Sequence, residues 1–162
     1  MKDPGKTNVM RVLDSLNVAY TAHFYEADAS LSGSEVANLL GEDADQVFKT
    51  LVTQGKSGQH YVFVIPVKEE LDLKKAANVS GEKAISMIRQ KDLLPLTGYV
   101  HGGCSPIGMK KPFPAFIDET AELFDTVCVS AGKVGAQVEL SPQDLIRAAS
   151  LTAADLVSDD RL

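Results

Sequence analysis

The stretch "DQVFKTLVTQGKSGQHYVFVIPV" (45–67) constrains the fold of this chain more than any other. Two runs rich in β-branched and aromatic residues flank "GKSG", a connector with two glycines, and this predicts a hairpin with strands near 46–53 and 60–66. A helix through Val47, Phe48, Leu51 and Val52 fits the spacing alone, but the turn-rich connector decides for strands. Around this hairpin the pattern changes period. "TNVMRVLDSLNV" places Val9, Val12, Leu13 and Leu16 at helical spacing behind Thr7 as N-cap. "YTAHFYEA" alternates as a strand. "SGSEVANLLGED" reads as a short helix capped by Ser34 and ended by Gly41.

The second half continues in short pieces. "LDLKKAANVSG" predicts a helix ending near Gly81, "EKAISMIRQKDLLPLTG" is mixed, and "GYVHGG" is expected to return to a strand. "PAFIDETAELFDTVCVSAG" reads strand, short helix, strand. In "AQVELSPQDLIRAAS" a strand runs into a helix with Ser141 as N-cap, Pro142 at its first position and Asp144 in the first turn. No repeat, low-complexity tract or linker divides the chain. The expectation is an α+β (mixed α/β) fold: one domain over 1–162, a mixed twisted β-sheet with a barrel-like core, surrounded by short helices.

Composition narrows the function classes. No run of about 18 apolar residues is present to span a membrane. "MKDPGKTNVMRVLDSLNV" lacks the apolar region and cleavage site of a secretory leader, so a reduced cytoplasmic setting is expected. The two cysteines, Cys104 and Cys128, have no metal-type spacing, and His23, His60 and His101 are scattered, so neither metal nor cofactor is expected. A net charge of −6 argues against a nucleic-acid binder that works by bulk phosphate neutralisation, and no DNA partner is expected. The charge is uneven: Lys68 to Lys111 holds eight Lys/Arg against five acids, a local +3, which leaves −9 elsewhere. That segment is either a set of solvated helix faces or a modest basic side for one phosphate-rich end of a larger molecule.

Two features carry candidate chemistry. On the hairpin, Val47, Lys49 and Leu51 share one strand face, so the Lys49 ammonium stands among aliphatic groups, where burial costs several kcal/mol unless an anion or dipole answers it. It is either a snorkelling or edge-strand lysine, or a cation aimed into a pocket at a carbonyl, carboxylate or phosphate. The loop "GGCSPIG" (102–108) is the second. Gly102 and Gly103 can take positive φ and expose consecutive N–H groups as an anion nest, suited to an oxyanion. Pro106 stiffens its far side, and Gly108 allows another tight turn. Cys104 with His101 is a weak nucleophile–base pair, because nothing in the sequence lowers the thiol pKa or orients the imidazole. Cys128, in "TVCVS", reads as a core thiol.

The strand lysine in "VFKTLV", the loop "GGCSPIG" and the closing "GAQVELSPQDL" together resemble the YbaK family of cysteinyl-tRNA(Pro) deacylases, relatives of the editing domain of bacterial prolyl-tRNA synthetases. The order and spacing cover nearly the whole chain. The resemblance implies a trans-editing enzyme that cleaves a wrongly charged aminoacyl ester at the 3′ end of tRNA, with the substrate's own thiol attacking its ester carbonyl. It assigns Lys49, Gly102 and Gly103 to catalysis, and Ser105, Pro106 and Gly108 to the substrate loop. Tyr20 falls where the family carries a pocket tyrosine. The family's acid near the last strand has no clear counterpart; Gln137 and Glu139 occupy that stretch, and Gln137 is taken as substrate-binding. The partners implied are the aminoacyl-tRNA acceptor end, met through Lys74, Lys75, Lys110 and Lys111, and prolyl-tRNA synthetase. Other readings of the same residues stay open: an alanyl or seryl preference, a non-enzymatic pocket for a small anion or nucleotide, and a Cys104 hydrolase.

Overall fold

The computed structural model describes residues 5–159. The first four residues of the stretch read for a leader, and both ends of the domain expected over 1–162, lie outside the described residues. The predicted hairpin is present. β2 (Phe48–Gly55) pairs antiparallel with β3 (His60–Pro66), Lys49 opposite Ile65 and Thr50 opposite Val64. Gly58, at φ +96°, supplies the left-handed residue that the tight connection needs. β4 (Ile85–Met87) adds antiparallel to β2, and β5 (Ala115–Asp118) adds parallel to β3. β8 (Leu151–Ala154) then joins β5 in parallel and completes a five-stranded sheet. A second sheet of three antiparallel strands has β7 (Ala136–Leu140) between β1 (Thr21–Phe24) and β6 (Val127–Ser130). A parallel bridge, Val47 to Cys128, ties the two sheets together, with the Gln46 side-chain amide donating to the Thr126 carbonyl beside it.

The hairpin sits between two apolar layers. Phe48, Val52, Val62 and Val64 join Val129, Val138 and Leu140 of the smaller sheet in the main core. That core is closed by Val9 and Leu13 of α1 (Asn8–Ser15) and Leu145 of α5 (Pro142–Ala149). The opposite face of β3 presents Tyr61, Phe63 and Ile65 to Ala76 and Ala77 of α3 (Leu73–Ser80) and to Leu156. Burial on both faces explains why "YVFVI" is continuously apolar instead of alternating.

Most caps follow the sequence. Thr7 accepts from the Met10 amide at 3.2 Å, Ser141 accepts from the Asp144 amide at 3.1 Å, and Gly81 ends α3 at φ +77°. In α2 (Gly33–Leu39) the N-cap is Ser32 and not Ser34. Ser32 and Glu35 form a reciprocal capping box, and Gly33 is needed because a Cβ there would lie 2.5 Å from Val67 Cγ1. "GYVHGG" is not a strand. Gly98 ends α4 (Gln90–Thr97) in the left-handed region, and the Tyr99 amide donates to Thr97 Oγ1 at 3.0 Å, so the chain turns before it can join a ladder. The "mixed" stretch before it resolves into β4 and α4. β8 has no counterpart in the sequence reading. Among the described residues no helix is long and apolar enough to cross a membrane.

Thr50 Oγ1 is buried on the core face of β2 with no hydrogen-bond partner. Thr50→Val removes that unsatisfied hydroxyl at nearly constant shape, so it is expected to raise stability by about 1 kcal/mol, or about 2–4 °C in a thermal melt.

Candidate active site

β2 alternates as expected, and it delivers Lys49 to the outer face of the sheet, away from the main core. Its neighbours on that face are Val47, packed with Ala37, Val67 and Cys128, and Leu51, packed against the Phe63 layer. Lys49 is half-buried. Burial holds its amine below the ordinary lysine pKa, and the carboxylates of Glu70 and Glu69 offset only part of that effect.

The Val47–Cys128 bridge sets what lies beside it. Two residues beyond each partner come Lys49 on β2 and Ser130 on β6. Ser130 pairs with Gln137 on β7, and Gln137 pairs with His23 on β1. Ser130, Gln137 and His23 therefore stand in one row across β6, β7 and β1, and Lys49 lies two residues along β2 from the bridge that joins β2 to β6. Gln137 is only 5% exposed. Its amide is assigned with nitrogen toward Glu42, because carboxylate oxygens accept and the nitrogen then donates to both of them, at 2.8 and 3.0 Å. Its carbonyl is left facing the other way. Glu42 is pushed above the usual carboxylate range by burial, although donors from Cys128 (3.6 Å) and Gln137 partly offset it. Glu139 is held low, first by the Thr126 hydroxyl and then by His23 Nε2 at 2.7 Å.

The glycine loop rests on the turn between β6 and β7. A Cβ on Gly103 would lie 2.8 Å from Lys133 C and Val134 N, and one on Gly102 would lie 3.4 Å from Val134 Cγ2 and 3.6 Å from Ala29 Cα. Lysine and loop thus border the same hairpin, Lys49 along β6 and the glycines over its turn. The expectation of two free amides is corrected at Gly103, whose N–H donates to the Val100 carbonyl at 3.0 Å and closes a turn. No backbone carbonyl among the described residues takes the Gly102 N–H, and Gly102 has the left-handed φ of +86°. Ser105 and Pro106 are buried, and Ser105 Oγ accepts from the Ile107 amide at 3.3 Å. They shape the loop from beneath. Gly108, at φ +72°, passes Asn8 and Tyr99 closely.

Tyr20 is not brought to this row. It packs with Ala22 and Phe24 against the main core, its phenol beside Asp14, on the face of β1 opposite His23. The tyrosine on the site face is Tyr25, 7% exposed, whose amide donates to Gly135 O at 3.0 Å and so continues the β1–β7 ladder. The alternation in "YTAHFYEA" contained that signal, since His23 and Tyr25 share a parity that Tyr20 lacks. Glu42 had no such signal; it arrives from the connection after α2.

Lys75 is committed to Asp155 and Asp159, both at 3.0 Å, and to the Val157 carbonyl at 2.8 Å. Lys74, Lys110 and Lys111 are exposed. Neither cysteine is activated. Burial pushes the Cys104 thiol up to about 12, and Cys128 also lies well above the usual range through burial and the nearby Glu42 and Glu139.

Residues 28–148 match the aminoacyl-tRNA editing domain family. The chain belongs to that family. It is 46% identical over 146 residues, 90% of this chain and 89% of the relative, to EbsC of Enterococcus faecalis, a protein provisionally named a Cys-tRNA(Pro)/Cys-tRNA(Cys) deacylase. It is 29% identical over 151 residues, 86% of this chain and 87% of the relative, to the prolyl-tRNA editing protein ProX of Acetoanaerobium sticklandii. A solved structure provisionally described as a trans-editing enzyme for prolyl-tRNA synthetase superposes with a TM-score of 0.79 at 25% identity, covering 95% of this chain and 99% of that one. The mixed α+β architecture of this editing-domain chain is the fold of these neighbours.

Two expectations test the geometry. Gly103→Ala places a methyl against main chain that cannot swing aside, so it is expected to shift the loop and lower activity on an aminoacyl-tRNA ester at least tenfold while the melt stays cooperative. The Lys49 amine, lowered in the native state, implies that in the window just below the ordinary lysine value of about 10.4 the unfolded chain holds a proton the native chain has released. Stability relative to Lys49→Met is therefore expected to rise with pH through that window, as read by denaturant unfolding of both proteins. At neutral pH the Met variant is expected to be the more stable.

Proposed function

We propose that this chain is a trans-editing deacylase that removes a wrong amino acid from tRNA, with Cys-tRNA(Pro) as its preferred substrate. The observation that carries this reading is a desolvated cation, Lys49, bordering the same β-hairpin as a glycine loop with an uncommitted amide at Gly102, in a chain whose two thiols are both held protonated. Such a site can polarise a carbonyl and steady an oxyanion, but it offers no protein nucleophile. The names of EbsC and ProX point to the same substrate class.

The step that suits these groups uses the substrate's own thiol. The cysteinyl sulfur attacks the ester carbonyl, a C–S bond forms, and the C–O bond to the terminal ribose breaks. The thiol proton passes to the departing ribose oxygen, and a cyclic thioester leaves for hydrolysis in water. Lys49 and the Gly102 N–H stabilise the charge on the carbonyl oxygen in the transition state. The Gln137 carbonyl, turned from Glu42, accepts from the substrate's α-ammonium group. A second site of this kind is needed because cysteine differs from proline by too little volume for one binding pocket, about 1–3 kcal/mol per methylene-sized difference. With a net charge of −6 and Lys75 tied internally, the chain holds only the acceptor end, through Lys110 and Lys111 beside the loop, while prolyl-tRNA synthetase supplies most of the tRNA affinity. Its place of work is the cytoplasm, where tRNA is charged.

The test is turnover of Cys-tRNA(Pro) by wild type, Lys49→Ala and Cys104→Ala. Lys49→Ala is expected to lose about 10²–10³ in rate, the cost of one oxyanion donor, and Cys104→Ala is expected to stay within twofold of wild type. Collapse of Cys104→Ala with Lys49→Ala intact would overturn the mechanism in favour of a protein thiol. A wild type inert on cysteinyl, alanyl and seryl esters would leave only a binding module.

A further inference from the structure

The spacing of cysteines and histidines along the chain predicts no metal site, but the fold assembles one from three separate elements. Among the described residues, His23 on β1, Glu42 after α2 and Cys128 on β6 each place one donor atom within 4.8 Å of the other two. Cys128 is 3% exposed, whereas His23 and Glu42 are half-buried. We propose that His23, Glu42 and Cys128 bind a thiophilic divalent cation of the Zn2+ class, with a water completing a four-coordinate site.

Three features separate this cluster from a chance group of acids. The donor set is imidazole, carboxylate and thiolate, which suits Zn2+ and excludes the oxygen-preferring Mg2+ and Ca2+. Each movable ligand also has an outer partner of the kind metal sites use. His23 Nε2 lies 2.7 Å from Glu139 Oε1, and Glu139 is itself held by the Thr126 hydroxyl. Nε2 is the nitrogen engaged by Glu139, so Nδ1 is the one that would ligate a metal. Glu42 receives the Gln137 amide, and Cys128 is fixed by its pairing with Glu139 in the β6–β7 ladder. Finally, among the described residues no lysine or arginine forms an ion pair with Glu42 or Glu139, and the one basic group bonded to either carboxylate is the His23 imidazole. A dication would reverse the local balance that keeps the thiol protonated. Binding releases the Cys128 proton to solvent and forms one S–metal bond, with no change of oxidation state.

The site does not depend on the editing reading, and neither His23 nor Cys128 has a role in the proposed chemistry. The experiment is titration of the full chain, purified under reducing conditions and stripped with a chelator, with Co2+ and then Zn2+. Wild type is expected to bind one equivalent and to show a thiolate-to-Co2+ charge-transfer band that Zn2+ bleaches. Cys128→Ser is expected to lose the band, while Cys104→Ser keeps it. His23→Asn is expected to weaken Zn2+ at least tenfold, and Glu139→Gln, which removes only the outer partner, about 10–100-fold. Circular dichroism and melting temperature identify any variant that fails to fold, and the Glu139→Gln arm tests the site without removing a ligand. Absence of the band in folded wild type overturns the proposal. So does a band that survives in Cys128→Ser or vanishes only in Cys104→Ser.

Discussion

The bridge between Val47 and Cys128 organises this molecule. The larger sheet and the smaller sheet share a core, and this contact, with Gln46 Nε2 donating to the Thr126 carbonyl at 2.6 Å beside it, sets β2 next to β6 in parallel register. Because side chains alternate along a strand, one fixed pair determines which residues face outward together further along. Lys49 and Ser130 each lie two residues beyond the bridge, and the β6–β7 and β7–β1 ladders carry the row on from Ser130 to Gln137 and His23. A slip of one residue would send the Lys49 ammonium into the main core and take Phe48 out of it. The apolar cost of that slip is what holds the polar row in place.

The electrostatics of the row are those of a site that stabilises charge without supplying a nucleophile. Lys49 is partly stripped of water, which strengthens its field at close range and lowers its own pKa. Both thiols are suppressed by burial, Cys104 within the loop and Cys128 among carboxylates. The glycine loop contributes main chain because its approach to Lys133 and Val134 leaves no room for a side chain at Gly103. Its buried residues, Ser105 and Pro106, anchor the loop against the core, with Ser105 Oγ accepting from the Ile107 amide.

Much of this was legible from local pattern. The hairpin, the Thr7 and Ser141 caps, the Gly81 stop and the half-apolar setting of Lys49 all follow from residue type and period, and all are present. Misreadings came where a local rule met a tertiary contact. Ser34 was a reasonable cap until Val67 required glycine at 33, which moved the helix start to Ser32. "GYVHGG" had strand-like residues, but Gly98 and the Thr97 hydroxyl used the backbone groups a ladder would need. Gly103 carried the right residue type for a free amide, yet Val100 claims its N–H.

The amino-acid sequence by itself determined the periodicities, and with them the strands, the helix ends and the one cation set among aliphatic neighbours. Those properties depend on residues a few positions apart, so local chemistry suffices. Only the tertiary structure decided that His23 stands beside Gln137, that Lys75 is consumed by Asp155 and Asp159, and that His23, Glu42 and Cys128 meet. Those facts join residues tens of positions apart. They follow from strand register and sheet order, which are set by the packing of the whole core.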